Sequence, residues 1–264
     1  MLTTFFKMTA HPFPEKPPLE AIVRDERFQQ GQARLTFLNQ QANLALITGE
    51  QGVGKTVLIR LFIESIKQQC VHAIYLHLSS LTNVAFLRLL AGALGEPPRQ
   101  YKDQILLQII HKINTLNATT LLFIDEAQLL DTQALVDLRL LISTPFDHND
   151  RLKLVLIGHS QLKQQLKRAI HTSLAQRVNL YYDIPPLTLS QTHTYVDFQM
   201  RRVGVSDKVF ETEVKQQLHE YTRGIPRLIN NLATACLINA ASQNRQQVDL
   251  GLFRQTLNEF PLYS

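Results

Sequence analysis

The stretch "LALITGEQGVGKT", residues 44–56, decides the fold. Its first five residues are apolar or β-branched and predict a short strand. Its last eight, "GEQGVGKT" (49–56), fit the spacing G-x-x-x-x-G-K-[ST]. The chemistry accounts for each position. Gly49, Gly52 and Gly54 let the chain curl, with Glu50, Gln51 and Val53 between them, so that backbone N–H groups converge on phosphate oxygens. A helix opening at Lys55-Thr56-Val57 adds the partial positive charge of its N-terminus. Lys55 is placed to reach β- and γ-phosphates, and Thr56 offers a hydroxyl to Mg²⁺. Strand, phosphate-binding loop and helix in that order predict a nucleotide site on a mainly parallel sheet.

Further along, "LLFIDEAQ" (121–128) is an apolar strand ending in two acids. Asp125, at the carboxyl end of the strand, is expected to hold Mg²⁺ through its water shell. Glu126 is expected to polarise the attacking water, which makes the pair a hydrolytic site. The strand "LKLVLIG" (152–158) runs into "GHSQ", where His159 or Ser160 would sense the γ-phosphate. These features predict a nucleoside triphosphate hydrolase that uses Mg²⁺. No Asn-Lys-x-Asp sequence is present to read guanine.

Around these motifs the chain alternates. Strands are expected at 44–48, 73–78, 121–125, 152–158 and 179–184. Helices are expected at 26–39, from the phosphate loop to about Gln69, at 84–94 and at 102–116. The expected fold class is therefore α/β, a mainly parallel sheet sandwiched by helices. After "PP" (185–186) the strands stop, and 189–202, 211–221, 226–242 and 250–260 read as helices. We expect an N-terminal arm over 1–25, a nucleotide-binding domain over 26–186 and a small all-helical lid over 187–264. The Pro-rich start is read as an ordered arm without an element of its own.

Composition sets outer limits. The chain has 264 residues, 45% of them apolar, enough for one large domain and a small one. Its 27 Lys and Arg against 22 Asp and Glu give a net charge of +5, which permits an anionic partner without requiring one. Cys70 and Cys236 sit in apolar patterns far apart, and read as buried thiols in a cytoplasmic protein rather than as a disulfide or metal site. No apolar run is long enough to span a membrane, and the first residues do not make a signal peptide.

One segment stands out. Gly158–Val178, "GHSQLKQQLKRAIHTSLAQRV", holds Lys163, Lys167, Arg168 and Arg177 and no Asp or Glu. A solvated helix ordinarily mixes its charge signs. Leu162, Leu166 and Ile170 are expected to form an apolar stripe on a helix here. Taken alone, the stretch also suits a helix that merely happens to be basic.

Taken in order, "HPF" (11–13), "QARLTFLNQQANLALITGEQGVGKT", "LLFIDEAQLL" followed by "DLRLL", "LVLIGHSQL", "LAQRV" and "TRGIPRLINNL" resemble AAA+ ATPases of the ExeA-like group. Within that group the chain looks most like transposition regulators of the TnsC, TniB, MuB and IstB kind. The resemblance implies that Arg177 is an arginine finger reaching a neighbouring subunit's ATP. It implies that Arg227, in "GIPR", is a second sensor on the lid. His159 departs from the Asn, Thr or Gln usual at the first sensor. The implied function is a regulator that oligomerises on duplex DNA as a ring or helical filament. It would select a target and recruit a transposase, with a target-selector protein as a further partner, and ATP hydrolysis would disassemble it. The alternative is an ExeA-like ATPase of secretion or pilus assembly. Long members of that branch carry a transmembrane segment and a peptidoglycan-binding region beyond the ATPase core, and short pilus-biogenesis relatives lack some of these. On the DNA reading, the expected contacts are Thr82 and Asn83 in "SSLTN" (79–83), and Arg99 and Lys102 in "PRQYK" (98–102).

Overall fold

The structure is a computed structural model that describes residues 2–142 and 151–259. In chain order its helices and strands are α1 (Leu2–Phe5), α2 (Glu26–Gln41), β1 (Leu44–Gly49), α3 (Lys55–Ser65), β2 (Val71–His77), α4 (Asn83–Ala93), α5 (Lys102–Thr115), β3 (Thr119–Asp125), α6 (Thr132–Leu141), β4 (Leu152–Gly158), α7 (Ser160–Leu166), α8 (Thr172–Ala175) and β5 (Leu180–Ile184). Helices α9 (Leu189–Arg202), α10 (Thr212–Thr222), α11 (Pro226–Ser242) and α12 (Leu250–Asn258) complete the described chain. Met1, residues 143–150 and residues 260–264 lie outside the described residues, and with them the expected last helical residue, Phe260.

Two compact units emerge, one formed by Glu26–Gly49 with Lys55–Ile184, the other by Met1–Asp25, Glu50–Gly54 and Pro185–Ser264. The first is the α/β unit. Its five strands are all parallel, in the order β2-β3-β4-β1-β5. Both faces are covered, which is why the central strands are continuous apolar runs instead of alternating ones. On one face Leu44, Leu46, Leu122, Ile124, Leu154 and Leu156 join a core with Phe86, Leu87, Ile105, Ile109, Leu135 and Leu138. On the other, Phe123 meets Phe62 of α3 edge to face at 6.2 Å between ring centroids. Phe123 is fully buried, so truncating it to Ala is expected to cost about 3–5 kcal/mol. Polar caps set where the helices begin. The Thr82 side chain accepts from Ala85 N–H at the start of α4, and Asp131 accepts from Ala134 N–H at the start of α6.

The second unit is helical and has its own core. Val196, Met200, Leu218, Ile229, Leu237 and Phe253 pack with Phe6, Met8 and Phe13 from the N-terminal arm. Arg202 fixes the arm further by donating to the carbonyls of His11 and Pro12. The arm carries α1, where no element was expected. Thr188 opens α9 through a reciprocal cap with Gln191, and Pro226 sits in the first turn of α11.

Three expectations need correction. Helix α3 ends at Ser65, not near Gln69, so Cys70 falls in the bend before β2 and is exposed, donating to the Asn117 carbonyl. Only Cys236 is a buried thiol. The basic segment is not one helix: α7 stops at Leu166, a single 3-10 turn covers Ala169–His171, and α8 follows. Leu162 and Leu166 are buried, but the break turns Ile170 outward, leaving it 62% exposed.

Candidate active site

The phosphate loop follows directly from β1. Gly52 and Gly54 take φ of +82° and +113°, values that L side chains rarely adopt. Between them Val53 is buried and donates its N–H to the Glu50 carbonyl, while Glu50 and Gln51 are exposed. Lys55 opens α3 with its side chain folded back, Nζ donating to the Gly49 carbonyl at 2.9 Å. Thr56 Oγ1 donates to Asp125 Oδ2 at 3.0 Å, and Val57 is half-buried one residue further along α3. Within the α/β unit the Gly49 carbonyl, the N-terminus of α3, the Lys55 ammonium and the Thr56–Asp125 hydroxyl–carboxylate pair lie together. That donor set fits a nucleotide triphosphate with Mg²⁺: amide and ammonium N–H groups for phosphate, hard oxygens for the cation.

At the end of β3, Asp125 is 2% exposed. Its Oδ1 accepts the N–H of Glu126 at 2.9 Å. Its Oδ2 accepts from Thr56 and from the phenol of Tyr75, and His77 Nδ1 lies 3.8 Å away. Burial, then the hydrogen bond to Asp125, raises the Tyr75 pKa above its ordinary value, so the phenol keeps its proton and donates. Glu126 is in the left-handed region, φ +58°. That turn aims its side chain away from the direction the strand would give it. The Glu126 carboxylate receives a hydrogen bond from Gln128 Nε2.

His159 joins the two halves of the site within the α/β unit. Its Nδ1 lies 3.5 Å from Lys55 Nζ and 3.4 Å from the Gly49 carbonyl, and its Nε2 lies 3.5 Å from Glu126 Oε2. Gln128 Oε1 accepts the His159 N–H at 3.2 Å. A Cβ at Gly158 would sit 2.4 Å from Gln128 Oε1, so a larger residue there would displace the Gln128 side chain from this contact. Ser160, the other sensor candidate, is exposed at the start of α7.

The remaining expected residues are Arg177, Arg227 and the two segments read as DNA contacts. Arg177 is exposed just past α8. Arg227 is exposed at the start of α11, where its N–H donates to the Gly52 carbonyl at 3.3 Å and its Cβ lies 2.6 Å from where a Gly52 side chain would begin. The segments 79–83 and 98–102 are brought together, but by Asp137. This carboxylate, 2% exposed, accepts from Asn83 Nδ2 at 2.8 Å and pairs with Lys102 Nζ at 2.9 Å. A buried carboxylate needs such partners. Asn83 is itself buried and Lys102, half-buried, is paired with Asp137, whereas Thr82 and Arg99 are exposed. Sequence reasoning assigned no role to Gln128 or Tyr75. "DEAQ" placed Gln128 within reach of Glu126, and parallel register pairs Tyr75 with Phe123, two residues from Asp125.

Residues 38–166 match the AAA domain family. Over 257 residues the chain is 32% identical to general secretion pathway protein A of Aeromonas hydrophila, covering 94% of this chain and 46% of that protein. The chain thus spans about half the length of the curated relative it matches. Among solved structures it is similar to Cdc6p of Pyrobaculum aerophilum, with TM-score 0.71 and 18% identity over 97% of this chain and 70% of that one. It is also similar to the Aeropyrum pernix ORC1 protein in complex with DNA, with TM-score 0.69 and 17% identity over 94% and 67%. The RuvB Holliday junction branch migration motor of Thermotoga maritima gives TM-score 0.59 and 15% identity over 95% and 73%. These likenesses establish the P-loop AAA fold, a parallel five-stranded sheet flanked by helices and followed by a helical region. No helix among the described residues is long and apolar enough to cross a membrane.

Proposed function

We propose that this ATP hydrolase, built on a P-loop AAA fold, is an ATP-controlled self-assembling switch of the secretion-ATPase kind. ATP joins copies of the chain and hydrolysis releases them. One observation carries the reading: 32% identity along 94% of the chain to general secretion pathway protein A. In this account residues 26–186 bind nucleotide, 187–264 act as the lid and 1–25 as an arm. Lys55 contacts the β- and γ-phosphates, and Thr56 and Asp125 hold Mg²⁺, which neutralises charge on those phosphates. Glu126 takes the proton of the attacking water. His159 senses the γ-phosphate between Lys55 and Glu126. Arg227 serves as second sensor, and exposed Arg177 acts on the nucleotide of a neighbouring copy. The test is sedimentation velocity with ATP, ADP or no nucleotide. Larger species with ATP alone support the proposal, and a single species under all three conditions overturns it.

A second reading keeps the transposition regulator, with duplex DNA and a transposase as partners. It is favoured by the carboxylate-free segment Gly158–Val178, whose Lys163, Lys167, Arg168 and Arg177 are all exposed. A basic surface of this kind binds phosphate backbones without reading sequence, and the binding weakens steeply with salt. Fluorescence anisotropy with duplex DNA at rising salt, with ATP or ADP, separates the two readings. ATP-dependent, salt-sensitive binding favours the DNA regulator; no binding at low salt with ATP leaves the secretion reading.

A further inference from the structure

We propose that Tyr75 is a positioning residue for the Mg²⁺ site, its phenol locking the Asp125 carboxylate in the orientation the cation needs. The inference rests on the ATP–Mg²⁺ reading of the site. Tyr75 lies on β2, an edge strand, and is 36% exposed. Parallel register sets it opposite Phe123, and His77 opposite Asp125. Alternation along paired strands therefore puts Tyr75 and Asp125 on one face of the sheet. The Asp125 carboxylate accepts from three donors. Glu126 N–H fixes Oδ1 at 2.9 Å, and Thr56 Oγ1 holds Oδ2 at 3.0 Å. The Tyr75 hydroxyl is the third donor and shares Oδ2 with Thr56.

The three donors have different fates when a cation arrives. The Glu126 amide is part of the chain and cannot leave. The Thr56 hydroxyl is itself expected to face Mg²⁺, so its proton must turn away from the metal. That leaves Tyr75 as the side-chain donor on Oδ2 that has no ligand duty of its own. A carboxylate near a cation works best when outer partners fix its plane, and losing such a partner typically weakens metal binding about 10- to 100-fold. Packing alone does not account for Tyr75: a Phe would fill the same space with no polar atom to satisfy, whereas here the hydroxyl donates to the carboxylate oxygen that Thr56 also contacts.

The test uses Tyr75→Phe in the full chain, with Asp125→Asn as the reference variant. Binding of a fluorescent ATP analogue is measured in EDTA and then over a Mg²⁺ titration, and Mn²⁺ binding with ADP is followed directly by electron paramagnetic resonance. Tyr75→Phe is expected to bind nucleotide in EDTA like the parent chain, and to need about tenfold more Mg²⁺ or Mn²⁺ for half-saturation. Its kcat should return to within about twofold of the parent at saturating Mg²⁺, which general loosening of the fold would not allow. If Asp125→Asn shifts the metal midpoint and Tyr75→Phe does not, the proposal for Tyr75 is overturned while the site stands. If Asp125→Asn leaves the midpoint unmoved, the Mg²⁺ site itself has been misplaced, and the role of Tyr75 falls with it.

Discussion

The imidazole of His159 stands between Lys55 and Glu126, one ring nitrogen 3.5 Å from the lysine ammonium and the other 3.5 Å from the glutamate carboxylate. It therefore touches both the group expected to bind phosphate and the group expected to activate water. Ser160, one residue on, is exposed at the start of α7. We expect His159→Ala to bind ATP near normally and to hydrolyse it about 10- to 100-fold more slowly. Ser160→Ala should hydrolyse at the parent rate. Steady-state phosphate release decides between them, and the reverse pattern would move the sensor to Ser160.

Asp137 joins the starts of α4 and α5 through Asn83 and Lys102. Removing it would leave a buried amide and an ammonium without their shared partner. Asp137→Ala is expected to lower unfolding stability by about 2–4 kcal/mol. The double variant with Lys102→Met should lose less than the sum of the two single changes. Urea denaturation measures both, and strict additivity would show that the pair is not coupled.

The thiols should separate cleanly. Burial pushes the Cys236 thiol up to about 12, whereas Cys70 is exposed. A thiol reagent at pH 8 should label Cys70 within minutes and reach Cys236 only after denaturant is added. The linkage sign follows from the raised value. Unfolded Cys236 would ionise near 8.5, so its contribution to stability is present below that pH and is lost as pH rises toward 12. Fast labelling of both thiols in the native protein would contradict the buried placement.

Arg177 and Glu126 are predicted to serve the same reaction from different copies. Arg177→Ala and Glu126→Gln should each hydrolyse little ATP alone. In an equal mixture about a quarter of the interfaces would carry both intact residues, on the logic of a finger supplied in trans. ATPase activity should then return in the mixture. No recovery in demonstrably mixed assemblies would make Arg177 a residue of its own subunit's site or a structural one.

Much of this was legible because the signals were local. "GEQGVGKT" and "LLFIDEAQ" each carry backbone and side-chain requirements within eight residues, so strand, loop and acids could be placed without tertiary information. The same holds for helices with strong caps or an initial Pro, such as α9 and α11. What could not be read depended on distant partners. Asn83 and Lys102 resemble solvent-facing polar residues until Asp137, far along the chain, claims both. Tyr75 meets Asp125 only through strand register. The apolar pattern Leu162, Leu166, Ile170 suits one helix, but nothing in its period showed that the chain would break after Leu166 and turn Ile170 outward.

The most direct test of the account compares Lys55→Ala with Glu126→Gln in two readouts, ATP affinity by equilibrium binding and phosphate release at steady state. The account predicts that Lys55→Ala binds no measurable ATP, because the ammonium beside the loop is gone. It predicts that Glu126→Gln binds ATP as tightly as the parent or more so, and releases phosphate at least about 100-fold more slowly. Normal turnover by Glu126→Gln would contradict the central claim that this site hydrolyses ATP through Glu126.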